Sequence, residues 1–228
     1  MGNKLTERNY GIDILRLFSM FMIVILHVCG HGGILEHTTG ANYYFALTIR
    51  TVSMCAVDCF AMISGFVGYR DDKETYSYAK YIKLWLPVFF YSVLISILYY
   101  VFFSATFEIK NLIRAFVPVT CGSYWYFTAY TAVFFTAPLI NKIVRDASLR
   151  ELNIFAFVGM LVFSVYSSVH LYLSPLWLSE GYNALWLIIL YFIGAWVKKS
   201  NLPKILKLKF SILLSILIIS YGFRKNCF

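Results

Sequence analysis

The chain has 228 residues, of which 60% are hydrophobic, 19% aromatic and 14% charged. A soluble domain carries about 25% charged and about 45–50% apolar residues, and a chain this small cannot hide so much apolar surface from water. These proportions argue against a soluble enzyme, a disordered chain and a disulfide scaffold, and they make a bilayer the natural solvent. The net charge of +9 is gathered between long uncharged runs, not in a basic stripe interleaved with aromatics. It therefore reads as a topology signal and not as a nucleic-acid surface.

A membrane-crossing helix needs about 20 mostly apolar residues. In chain order the candidate spans are 11–30, 43–68, 82–104, 124–141, 153–173, 183–197 and 206–223, an all-α polytopic bundle of about seven spans. The second is interrupted by Arg50 and Asp58, and the last opens with Lys207 and Lys209, which can snorkel to an interface. With the N-terminus in the cytoplasm, fourteen Lys and Arg fall on the cytoplasmic side and four on the other, leaving Arg16 and Arg50 within spans. That bias predicts a cytoplasmic N-terminus. No internal repeat or linker divides the chain, so residues 1–228 read as one domain. The five cysteines, Cys29, Cys55, Cys59, Cys121 and Cys227, lack metal-ligand spacing. His27 and His31 stand at i and i+4 with no third ligand evident, so no metal site is expected.

Ionisable groups inside spans cost about 2.5–3.5 kcal/mol each on insertion scales and are functional candidates by default. The first helix carries Asp13, Arg16 and His27, and the second carries Arg50 and Asp58. Arg16 and His27 are eleven residues apart, which returns them to nearly the same helix face with about 16 Å of rise between them. The second span runs the other way, so Arg50 is expected near the level of His27 and Asp58 nearer to Arg16. An Asp58–Arg16 pair would remove two lone charges. A neutral imidazole at His27 could accept a proton, as a general base must. The plainer readings are a snorkelling Arg50, an Asp13 that complements the start of the first helix, and a His27 that is only a satisfied polar residue.

The stretch RNYGIDILRLFSMFMIVILHV, with its Arg and then His, resembles the first helix of the acyltransferase 3 membrane family. The second span is similar to that family's Val-Asp-x-Phe-Phe-x-x-Ser-Gly-Phe stretch at Val57, Asp58, Phe60, Ser64, Gly65 and Phe66, with Ala61 in place of the second Phe. A third likeness is YWYFTAYTAVFFTAPLIN, carrying Trp125, Tyr130, Pro138 and Asn141. Residues 142–228 resemble the family in hydropathy alone.

The resemblance implies transfer of an acyl group, usually acetyl, from cytoplasmic acyl-CoA to a hydroxyl of a cell-surface glycan or its lipid-linked precursor. Acetyl-CoA would be a donor substrate, with no permanently bound cofactor. The implied setting is a bacterial-type plasma membrane, with bilayer and sugar acceptor as partners and a homo-oligomer left open. Arg16 and His27 match the family's essential pair, with Asp58 beside them. The family's cytoplasmic Arg-x-x-Arg appears here as Lys80-Tyr81-Ile82-Lys83, which keeps charge for a coenzyme A phosphate but loses the bidentate fork; simple membrane anchors are the plainer reading of these lysines. Arg50, Trp125 and Tyr130 are substrate-site candidates. His27 would deprotonate the acceptor or become acylated first. Since the family has about ten spans, a chain truncated at its C-terminus is expected, and with it an inactive family member as one reading. The other is a transporter or flippase component in which Arg16, Asp58 and His27 form an ion path.

Overall fold

The computed structural model describes residues 9–72, 76–103, 108–120, 124–166 and 183–200. Every regular element among them is helical: α1 (Tyr10–His31), α2 (Ile34–His37), α3 (Gly40–Ser53), α4 (Cys55–Gly68), α5 (Ala79–Phe102), α6 (Ile109–Phe116), α7 (Trp125–Asp146), α8 (Leu149–Met160) and α9 (Ala184–Lys199). A π-helical turn, Leu161–Tyr166, continues α8.

Among the described residues, Tyr10–His31, Gly40–Gly68, Ala79–Phe102 and Trp125–Asp146 are long and apolar enough to cross a membrane. They correspond to the first four expected spans. Of the others, 153–173 is described only as far as Tyr166, 183–197 is the 16-residue α9, and 206–223 lies outside the described residues.

The boundaries follow from local chemistry. The Asn9 side chain caps α1 by accepting the Ile12 N–H at 3.3 Å, an N-cap role that favours Asn. The helix ends at Gly32, and Gly33 takes φ 65°, a left-handed conformation for which glycine carries no steric cost. The second span contains a hitch. The Met54 N–H bonds the Thr51 carbonyl, three residues back, at 3.2 Å, so α3 tightens for one turn before α4 resumes.

The chain divides into two compact units. In the first, formed by residues 1–69, 149–156 and 190–228, α1 packs on α3 and α4. The buried stripe of α1 is Ser19, Met22 and Cys29, small or flexible residues that let helices approach closely, as lipid-embedded interfaces favour. Helices α4 and α9 cross in near backbone contact. A methyl group at Gly65 would strike the Tyr191 carbonyl, and one at Gly194 would strike the Met62 carbonyl. Around this crossing Trp196 Nε1 donates to Asn153 at 2.8 Å, Phe155 meets Phe192 edge-on, and Lys198 donates to the Tyr69 carbonyl at 2.7 Å over the Phe66 ring.

The second unit, residues 70–148 and 157–189, is held by aromatic side chains. Tyr81 of α5 shares a hydrogen bond of 2.8 Å with Thr131 of α7, and its ring meets Phe127, Phe134 and Phe135. Helix α6 packs on α5, with Phe116 against Phe89.

Overpacking a tight contact costs about 1–3 kcal/mol. Gly65→Ala and Gly194→Ala are therefore each expected to lower the thermal midpoint of the detergent-solubilised protein, whereas Gly159→Ala, whose added methyl meets nothing within 4 Å, should leave it unchanged. A thermal melt of the three variants checks this.

Candidate functional site

Helix α1 is unbroken from Tyr10 to His31, so Arg16 and His27 differ by about 20° around one axis and about 16 Å along it. The shared face is a flank. Both lie about 110–130° round from the centre of the buried Ser19–Met22–Cys29 stripe, and Arg16 is half-buried while His27 is exposed. The innermost wall of α1 is made of small or flexible residues, which suits close packing on α4.

The expected Arg16–Asp58 pair is not the one formed. Arg16 pairs with Asp13, one turn earlier on its own helix, at 3.4 Å. Helical spacing places i and i+3 side by side, and pairing within one helix needs no alignment of a second.

Ser19 of α1 and Cys59 of α4 lie beside each other across the α1–α4 contact. Counted by helical rise from that point, Asp58 stands about level with Met20, about 6 Å along the axis from Arg16. Arg50 lies in the last turn of α3 and Asp58 in the first turn of α4. Each charge thus complements the dipole end on which it sits. Asp58 is half-buried beside Cys55 and Cys59.

In the second unit Lys80 and Lys83 are exposed on one side of the first turns of α5, about 60° apart. Tyr81, between them in sequence, points the other way into the α7 aromatics. Its bonds thereby fix which way the lysines face. On α7 the rings of Trp125, Tyr126 and Tyr130 form a run: Trp125 is edge-on to Tyr126 at 5.8 Å, and Tyr126 stacks on Tyr130 at 6.1 Å.

Sequence spacing puts the starts of α5 and α7 at opposite membrane faces. The contacts place them closer. Tyr81 meets Thr131, six residues after Trp125, so Trp125 lies only about 9 Å along the axis from Tyr81. The cause is the segment from Ile109 to Val119, which returns alongside α5 until the Val119 carbonyl accepts the Thr128 hydroxyl at 3.1 Å. Helix α7 therefore begins part-way along α5.

Among the described residues no group of three or more His, Cys, Asp or Glu is placed to hold a metal ion. The His27 and His31 rings stack at 5.5 Å with planes 14° apart.

A family model described as an acyltransferase domain, that of acyltransferase 3, matches residues 9–224. The chain belongs to the acyltransferase 3 family. No protein of curated function and no solved structure matches it significantly. Membership in this family, together with the apolar helices, makes the chain a membrane acyltransferase in general class. The match runs well past residue 141, into the part whose likeness rests on hydropathy.

That region supplies residues that sequence reasoning missed: Tyr191, Gly194 and Lys198, which receive the Ser64-Gly65-Phe66 end of α4. A glycine in an otherwise bulky apolar helix is the signal for Gly194. Its partner, however, is far away in sequence. In this acyltransferase 3 chain Gly65 is explained by backbone approach and not by chemistry.

Tyr81→Phe is expected to cost about 1 kcal/mol of stability, the net worth of one hydrogen bond. The Thr131 hydroxyl also donates to the Phe127 carbonyl at 2.9 Å, so it accepts from Tyr81, and adding Thr131→Val to Tyr81→Phe should cost less than Thr131→Val does alone. Denaturation of the single and double variants tests the pairing.

Proposed function

We propose that this acyltransferase moves an acyl group, in the first instance acetyl, from cytoplasmic acyl-CoA to a hydroxyl of a cell-surface glycan or its lipid-linked precursor. The N-terminus would then lie in the cytoplasm of a bacterial-type plasma membrane. The observation that carries this reading is the alignment of Arg16 and His27 on one flank of α1 in a chain of this family. A fixed cation near the donor side and an imidazole near the acceptor side suit a reaction whose two substrates start on opposite sides of a bilayer.

In the proposed mechanism His27 takes the proton of the acceptor hydroxyl as the oxygen attacks the thioester carbonyl. The C–S bond breaks, coenzyme A leaves as its thiolate, and the new bond is an ester. Such a base contributes about 10²- to 10⁴-fold. In the alternative route His27 itself attacks the thioester carbonyl, coenzyme A leaves as its thiolate, and the acceptor oxygen then attacks the acyl-imidazole, freeing His27 while the hydroxyl proton passes to the thiolate; single-turnover acylation of the protein without acceptor separates the two. Arg16, oriented by Asp13, offers a fixed positive charge on the donor side. Lys80 and Lys83 supply point charges for coenzyme A phosphates, presented outward by the Tyr81 anchor. Asp58 and Arg50 hold the two helix ends at the hitch, and Trp125 and Tyr130 offer ring faces for substrate.

Proteoliposomes given labelled acetyl-CoA and an envelope glycan extract test the reading. His27→Ala should reduce label transfer by about 10²-fold or more, whereas His31→Ala, which removes only the stacked neighbour, should retain most of it. Replacing Lys80 and Lys83 together by Gln should raise KM for acetyl-CoA and leave kcat nearly unchanged, since the phosphates are remote from the reacting carbonyl. Uptake of a solute or translocation of a lipid, with no label transferred, would instead favour a transporter.

A further inference from the structure

Helix α6 carries a feature that acyl transfer does not use. Its sequence, Ile109-Lys110-Asn111-Leu112-Ile113-Arg114-Ala115-Phe116, divides into three arcs. Ala115 is 3% exposed, and with Leu112 and Phe116 it faces α5. Ile109 and Ile113 form an open apolar arc, 65% and 62% exposed. Lys110 and Arg114, both exposed, lie on the far edge about 40° apart with about 6 Å of rise.

The depth of this helix is unusual. Phe116 touches Phe89, which lies thirteen residues before the end of α5, about 20 Å back along a helix of membrane-spanning length. Helix α6 therefore returns beside an apolar span and does not rest beyond its end. Arg114 shares the depth of Phe116 to within about 3 Å, and Lys110 lies at most about 9 Å from that level.

Cations at such a depth are tolerated when they face water or meet an anion. Among the described residues neither Lys110 nor Arg114 forms an ion pair. Glu108, the nearest carboxylate in sequence, lies about 120–160° round the helix from them.

We propose that Lys110 and Arg114 bind the phosphate of an anionic lipid whose acyl chains lie along Ile109 and Ile113. The Arg114 guanidinium can grip two phosphate oxygens while Lys110 adds a point charge one turn away. The adjacent apolar arc offers the chains a place that water could not fill without cost. One lipid thereby satisfies two surfaces that the protein leaves uncovered. This site does not depend on the acyl-transfer reading.

The test is titration of the purified full chain in neutral detergent with fluorescent phosphatidylglycerol and phosphatidylcholine. Phosphatidylglycerol should bind about tenfold or more tightly, in line with two basic residues near an anionic headgroup. Lys110→Gln with Arg114→Gln should bring the two lipids to within about twofold of each other, while Lys142→Gln, an exposed cation on α7, should change nothing. If the double variant loses its helical circular dichroism, Arg114→Lys serves instead and should weaken phosphatidylglycerol several-fold. Equal affinity for the two lipids in the unmodified chain, or unchanged discrimination in the folded variants, would overturn the proposal. Complete displacement by millimolar inorganic phosphate would also overturn it, because the apolar arc would then have no part in binding.

Discussion

A charge on a helix that crosses a bilayer has no water to answer it, so another group must. Several charged side chains of the structure have such an answer. Asp13 answers Arg16 one turn away. The end of α3 answers Arg50, and the start of α4 answers Asp58. The carbonyl of Tyr69, at the end of α4, answers Lys198. His27, exposed on the same helix as Arg16, has the His31 ring stacked on it.

Close packing does the complementary work. Dispersion and hydrogen bonding hold helices together in lipid, where apolar surface gains nothing by leaving the solvent. Contacts must therefore be tight or polar. The first unit uses tightness, with Gly65 and Gly194 bringing two backbones together and Ser19 meeting Cys59. The second unit uses rings and one hydroxyl pair, with Tyr81 as the hub. Each device also orients a candidate functional group: the first sets the rotation of α1, and the second sets the outward face of Lys80 and Lys83.

What could be read in advance was what is local. The ends of α1 follow from Asn9 and the Gly32–Gly33 pair, and the Arg16–His27 alignment follows from helical period alone. Interactions between distant segments were not legible. Nothing near Gly65 announces Tyr191, and the hitch at Met54 is one shifted hydrogen bond without a Pro or Gly to mark it. Arg16 has two carboxylates within plausible reach, and the intrahelical one won because it demands less ordering. The return of residues 109–119 along α5 could have been suspected from the i, i+3, i+4, i+7 spacing of Ile109, Leu112, Ile113 and Phe116. The amphipathic pattern marks the helix but not its depth, so the level of Trp125 came only from the contacts.

The central claim is that His27 handles the proton of the transfer while Arg16 does not. Chemical rescue tests it most directly. Added imidazole should restore acetyl transfer to the His27→Ala protein in proportion to its concentration and should do nothing for Arg16→Ala. A His27→Ala protein that transfers acetyl groups at the unmodified rate without imidazole would contradict the account.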